Sequence, residues 1–230
     1  MNKKGTRLRE AELALARLAF KWPGAVTETI TQALEAYERA GFDFDTRFVM
    51  RCMVAVGTGQ SRFKHLSVLW QKSEDDLKAI WVQTKRGLDA TVNFLRGNVG
   101  IESADWLPSA NALVPLIYFF AQRGTKPVSD KEGMHLLLWF LKASMWSRFS
   151  NSPETVMDKD LKAASVGVDE LLSLLNRDTK EAVVSPDDLA GKYGSSSFLP
   201  VVFAIIRSNR AQDWGTGIEI SSTSVGPVHQ

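Results

Sequence analysis

Apolar residues recur at three- and four-residue spacing along most of the chain, and this period constrains the fold more than any other feature. The longest example begins after Ser73, where Leu77, Ile80 and Leu88 carry the pattern through about six turns to Gly97. Strand-like alternation occurs only in the short segment 217–220. The pattern therefore predicts an all-α fold, a bundle-like domain of about ten helices with a short irregular or strand-like C-terminal tail.

Helix-start and helix-stop residues divide the pattern into segments. Ser73 precedes three acidic residues, a combination that caps a helix and complements its dipole. Asp45 or Thr46 and Ser129 give similar signals. The predicted helices are 8–20, 26–40, 45–56, 73–97, 112–123, 131–149, one opened by Ser152-Pro153-Glu154, and three shorter ones at 158–164, 169–175 and 186–190. Because an interior proline disrupts a helix, Pro115 and Pro200 each predict a kink or a helix that begins near the proline.

Two segments are apolar on nearly all sides, 113–120 and 134–141, and both are expected to form central helices. Residues 1–216 are predicted to form the helical domain, with a sub-boundary near 97–108. Residues 217–230 lack the apolar period and are predicted to form a tail.

Composition narrows the class of protein. The single cysteine, Cys52, excludes an internal disulfide and favours a reducing compartment, so we expect a cytoplasmic protein. No uninterrupted apolar stretch approaches the roughly 20 residues of a membrane-spanning helix, so we expect no membrane partner. The net charge of +2 argues neither for nor against nucleic acid. The oligomeric state stays open.

Residues with catalytic or metal-binding chemistry are scattered. Cys52, His65, His135 and His229 have no ligand spacing, so we expect no metal and no cofactor. Cys52 lies on the apolar face of a predicted helix, where a buried thiol is typical, and His135 is interpreted as a core or subsurface residue. The segment 57–61 resembles a turn more than a phosphate-binding loop.

Paired carboxylates are interpreted as helix starts and not as acid–base catalysts. The pairs are Asp75-Asp76, Asp158-Asp160 and Asp187-Asp188, and each falls near a predicted helix N-terminus. We therefore predict no catalytic residue in this chain.

Basic residues concentrate in the first third of the chain. The six candidates for DNA contact are Arg7, Arg9, Arg47, Arg51, Arg62 and Lys64. Arg47 and Arg51 lie one helical turn apart, so a first third that folds together would present one phosphate-binding surface. The alternative is an ordinary solvated helix surface, because Glu10, Glu12 and Asp45 lie among these residues.

Several segments together resemble one protein family. Asn2–Leu13 resembles the "N-x-x-G-x-x-L-x-x-x-E-L" element that closes the ParB-like N-terminal domain of GmrSD-type modification-dependent restriction proteins. Later segments resemble successive stretches of the family's helical middle region, in the same order: Ser109–Leu116, Trp139–Ala143 with Arg148–Ser150, Glu154–Thr155 with Asp158–Leu161, and Ala211–Trp214 with Gly217.

This resemblance implies a function for the chain as a fragment. Members of the family carry an N-terminal domain that hydrolyses nucleoside triphosphate and a C-terminal HNH nuclease domain, whose motifs would lie before Met1 and after Gln230. The resemblance implies a helical scaffold that couples sensor to nuclease in a phage-defence restriction protein, with the flanking domains and DNA as partners. The fragment itself would not be an enzyme, whereas the full-length protein would be an NTP-dependent endonuclease.

The alternative is a self-contained helical domain with a small-molecule pocket. The apolar segments around Tyr118 and Trp139 would enclose such a pocket, and a large cavity lined by Phe119, Trp139 and Trp146 would favour this alternative. A continuous basic surface would favour the DNA-contacting scaffold instead.

Overall fold

A computed structural model describes residue 13 and residues 15–150, 153–179 and 197–221. These residues contain α-helices and no strand, so the predicted all-α fold is confirmed. The helices are α1 (residues 15–21), α2 (Thr31–Arg39), α3 (Thr46–Thr58), α4 (Leu66–Leu69), α5 (Glu74–Phe94), α6 (Leu113–Arg123), α7 (Asp130–Met145), α8 (Pro153–Val166), α9 (Val168–Asp178) and α10 (Leu199–Ser208). Short π turns at Ala25–Ile30 and Leu95–Val99 and 3₁₀ turns at Phe63–His65, Ala104–Trp106 and Ala110–Ala112 connect them. The predicted helix 186–190 and most of 8–14 lie outside the described residues.

Side-chain caps fix the helix starts that the sequence predicts. Ser73 accepts a hydrogen bond from the Asp76 backbone N–H, and the Asp76 carboxylate accepts one from Ser73 N–H, which completes a capping box. Ser129 and Glu132 form the same arrangement at α7. Asp45, and not Thr46, caps α3. These starts are confirmed because capping is a local interaction.

Both prolines lie in the first turn of a helix, where a missing N–H costs little. Pro115 follows the 3₁₀ turn Ala110–Ala112 and is the third residue of α6. Pro200 stands at the start of α10. The second of the two predicted outcomes, a helix that begins near the proline, is therefore the observed one.

Helix α6 is the central element of the core. Every residue from Leu113 to Ala121 is buried, as predicted for a segment that is apolar on all sides. By contrast, α7 is peripheral, because Met134 is 62% exposed and Leu138 is 40% exposed. The prediction of a second central helix over 134–141 was therefore wrong. None of the described helices combines the length and hydropathy needed to cross a membrane.

Some helix boundaries differ from the sequence-based expectation. Helix α7 ends at Met145, and the chain then turns through Ser147, whose φ is 47°. The two helices predicted from 152 to 164 form the single helix α8, so Asp158 and Asp160 lie in its interior and not at a helix start. In the described part of the tail, an isolated bridge joins Gln212 to Glu219 and Ile218 is 65% exposed, so of the two predicted forms the irregular one is observed.

Glu132 links the end of α6 to the start of α7. Arg123 donates to both carboxylate oxygens, at 2.6 and 2.8 Å, and Ser129 donates from its N–H and its hydroxyl. These hydrogen bonds, that of Arg123 first, lower the pKa of Glu132 from 4.5 to about 2. Because the folded state holds the carboxylate ionised, the stabilisation is complete above about pH 4.5 and is lost as the pH falls towards 2.

Glu132→Gln is therefore expected to lower the free energy of unfolding by about 1 kcal/mol at pH 7, since solvent screens a partly exposed pair. The difference from the unmodified protein should shrink at pH 3. Urea unfolding at the two pH values measures it, with Glu170→Gln in the exposed pair with Arg177 as the control. A Glu132→Gln difference that is the same at both pH values would contradict the assignment.

Candidate functional site: an arginine-lined cleft

An open cleft of about 680 Å³ lies where three helical segments begin. They are α3, the 3₁₀ turn Ala110–Ala112 that leads into α6, and α8. The lining residues are Asp43, Phe44, Asp45, Arg47, Phe48, Arg51, Arg62, Ser109, Ala110, Asn111, Pro153, Glu154 and Thr155. The first N–H groups of a helix lack partners within it, and the helix dipole is positive at this end, so this arrangement favours negative charge in the cleft.

Arg47 lies in the first turn of α3, and one of its N–H donors is available to a ligand. Its guanidinium carbon lies 5.7 Å from the centre of the Phe63 ring, which is within cation–π distance. Its Nε atom is buried and has no hydrogen-bond partner among the described residues. A buried N–H without an acceptor is costly, so an acceptor brought by a ligand would satisfy it.

Arg51 lies one turn further along α3 and is only 7% exposed. Its Nη1 donates to Asn111 Oδ1 at 3.3 Å, and its Nη2 lies 3.7 Å from Glu154 Oε1. Its guanidinium carbon lies 5.3 Å from the centre of the same Phe63 ring. Contacts with the turn Phe63–His65, the turn before α6 and α8 thus hold this guanidinium in one place in the cleft.

Arg62 follows α3 in sequence and reaches α8. Its Nη2 donates to Thr155 Oγ1 at 2.8 Å, and its Nε lies 3.1 Å from Asp158 Oδ2. The other oxygen of Asp158 accepts from the N–H and the hydroxyl of Ser61, at 2.7 and 2.8 Å. Asp158 therefore balances the charge of Arg62 and fixes the loop after α3 against α8.

The structure brings together three of the six cationic residues that the sequence singles out, Arg47, Arg51 and Arg62. Lys64 is exposed on the turn Phe63–His65 and is not part of the cleft lining. Arg7 and Arg9 lie outside the described residues. Sequence reasoning missed Asn111 and Glu154 as partners of Arg51, since they are distant from it along the chain.

The other candidate residues have structural surroundings. Cys52 is fully buried, and burial raises the pKa of its thiol, which confirms the core interpretation. His135 is half-buried, and its Nδ1 lies 2.6 Å from Asp169 Oδ1 on α9. In the ranges that the structure describes, no three His, Cys, Asp or Glu side chains are grouped as a metal site requires.

Comparison of the chain with models of protein families, with curated proteins and with solved structures finds no match. The resemblance to GmrSD-type restriction proteins therefore rests on the sequence segments quoted above.

Proposed function

We propose that this chain is the helical region of a GmrSD-type restriction protein that acts in phage defence in the cytoplasm. In this proposal it couples a nucleotide-dependent sensor domain to an HNH nuclease domain and contacts DNA phosphate through the arginine cleft, defined by Arg47, Arg51 and Arg62. The region itself carries no catalytic residue and uses no cofactor, and the flanking domains supply the NTP-dependent endonuclease activity.

The main support for the DNA contact is that three arginines line one cleft. Guanidinium groups bind phosphate through charge-assisted hydrogen bonds, and cationic contacts of this kind supply most sequence-independent DNA affinity.

The position of the cleft supports a coupling role. Residues of helices α3 and α8 line it, and both helices pack against the central helix α6. A phosphate that bridges Arg47 on α3 and Thr155 on α8 would therefore act on two helices of the core and not on a surface loop.

A small-molecule pocket is the second candidate function, and one observation favours it. The volume of the cleft lies within the roughly 300–1,000 Å³ typical of ligand pockets. The pocket predicted from aromatic residues is not at this place. Phe119 and Trp139 are buried, with their rings packed against Phe120 and Phe149, and Trp146 is 38% exposed.

Duplex DNA is expected to bind weakly, with an affinity that falls steeply as salt rises because counterions are released. Arg47→Gln should weaken binding about equally on all sequences and reduce the slope of log K against log salt by about 1. Fluorescence anisotropy over a salt series measures this slope. Arg177→Gln removes one charge from the exposed face of α9 and should leave it unchanged.

The double variant Arg47→Ala/Arg51→Ala should lose more affinity than Arg47→Gln, with circular dichroism to verify that the helices persist. Duplex binding that is insensitive to salt, or equal in Arg47→Gln and Arg177→Gln, would contradict the proposed DNA contact.

A further inference from the structure

The charges that line the cleft are mixed. Its three arginines are accompanied by three carboxylates, Asp43, Asp45 and Glu154. Asp43 and Asp45 are exposed, and Asp45 also accepts the capping hydrogen bond from Phe48 N–H at 2.6 Å. A phosphate backbone that ran along the whole cleft would bring successive phosphates close to these carboxylates, and like charges repel, so a backbone would contact the cleft at a single phosphate beside Arg47. The lining therefore favours a ligand whose negative charge is concentrated at one point.

Two arginines can share such a charge. Asp158 already balances Arg62, whereas the buried Nε of Arg47 has no hydrogen-bond partner among the described residues. The separation of 3.7 Å between Arg51 and Glu154 is longer than a direct hydrogen bond, so a phosphate oxygen at closer range would compete with Glu154. Both guanidinium groups lie against the same Phe63 ring, and two such groups match the two charges of a phosphate monoester better than the single charge of a diester.

The cleft is also larger than a phosphate ion requires. Phe44 and Phe48 form part of its wall, with ring centres 4.8 Å apart, and polar groups of Ser109, Asn111 and Thr155 face the same space. An apolar surface beside hydrogen-bonding groups suits a sugar and a base attached to the phosphate.

We propose that the arginine cleft binds a terminal phosphate monoester carried by a nucleoside, through Arg47 and Arg51. The ligand is either the 5′-phosphorylated end of a DNA strand or a free mononucleotide. The inference rests on the proposed function in so far as it assigns a more specific ligand to the same site.

The test compares matched probes on the full chain by titration calorimetry. The probes are thymidine 5′-monophosphate, thymidine, and one single-stranded decamer with either a 5′-phosphate or a 5′-hydroxyl. A blunt duplex with 5′-hydroxyl ends reports on backbone contact. We expect the phosphate to strengthen binding of the nucleoside, of the decamer, or of both by about tenfold or more, because it adds charge-assisted hydrogen bonds.

Two variants complete the test. Arg47→Gln should abolish the gain from the 5′-phosphate and leave binding of thymidine unchanged. It should weaken the 5′-hydroxyl decamer and duplex only through the loss of backbone contact. Glu154→Gln removes the competing carboxylate and should increase affinity for phosphorylated probes several-fold. This gain keeps the test decisive even if Arg47→Gln disturbs the fold.

Each outcome decides one question. Preference for the phosphorylated decamer identifies a strand end as the ligand, and preference for the mononucleotide identifies a free nucleotide. Phosphate-dependent binding of the nucleotide without binding of any DNA would support this inference and contradict the DNA contact. Equal affinity for 5′-phosphate and 5′-hydroxyl probes, with duplex binding still weakened by Arg47→Gln, would overturn this inference and leave the DNA contact in place. Probes that bind with no dependence on phosphate or on Arg47 would overturn both.

Discussion

Replacement of Arg148 by methionine is expected to lower the free energy of unfolding by about 3–5 kcal/mol, the largest effect of any single change considered. Arg148 Nε and Nη2 donate to the two carboxylate oxygens of Asp160 at 2.9 and 2.8 Å. The side chains are 6% and 0% exposed. Without the arginine, Asp160 would be buried with no counter-ion and would either stay charged or take up a proton, and both are costly in a medium of low polarity.

A double variant separates this cost from the attraction between the two groups. Arg148→Met combined with Asp160→Leu leaves no buried charge and should recover most of the lost stability. Asp178→Asn removes the outer and partly exposed partner of Arg148, at 3.0 Å, and should cost about 1 kcal/mol or less. Urea unfolding measures all three variants. If the double variant is as unstable as Arg148→Met alone, the loss of stability does not come from an unpaired buried charge.

Gly87→Ala is expected to have the second largest effect, a loss of about 1–3 kcal/mol through overpacking. Gly87 lies on α5 where it crosses α6, and a methyl group there would overlap the backbone carbonyl of Ile117. Alanine stabilises an exposed helix by about 1 kcal/mol relative to glycine. Here the overlap forces α5 away from the central helix, so the substitution lowers the free energy of unfolding instead of raising it.

Gly97→Ala is the matched control, because a methyl group at that position has no neighbour within 4 Å. It should leave the free energy of unfolding unchanged or raise it by up to about 1 kcal/mol. Thermal or urea unfolding of the two variants side by side gives the comparison. Equal stability of Gly87→Ala and Gly97→Ala would show that α5 and α6 are not in close backbone contact.

Features that depend on neighbours along the chain could be predicted from the sequence. Ser73 and Ser129 cap the helices that they were expected to start, and the all-apolar segment from Leu113 is the buried centre. These features follow from capping, helical period and burial, which act within a few residues.

Features that depend on contacts between distant segments could not be predicted from the sequence. Asp158 and Asp160 were interpreted as helix starts because Ser152-Pro153-Glu154 and Asp158 each resemble one, yet a single helix runs through both. Its interior carboxylates instead pair with Arg62 and Arg148. Tertiary packing, and not any local signal, decides which helix N-termini meet and therefore where the cleft lies.

Arginine-selective NMR tests the central claim, that the arginine cleft is where this chain contacts DNA, most directly. The Nε–H signals report on each guanidinium separately, and Arg123 and Arg148 serve as internal controls because carboxylates already hold them. During titration with duplex DNA, the account predicts that the Arg47 signal shifts and saturates while the control signals stay in place. A titration in which DNA shifts Arg177 or other exposed side chains and leaves Arg47 unchanged would contradict it.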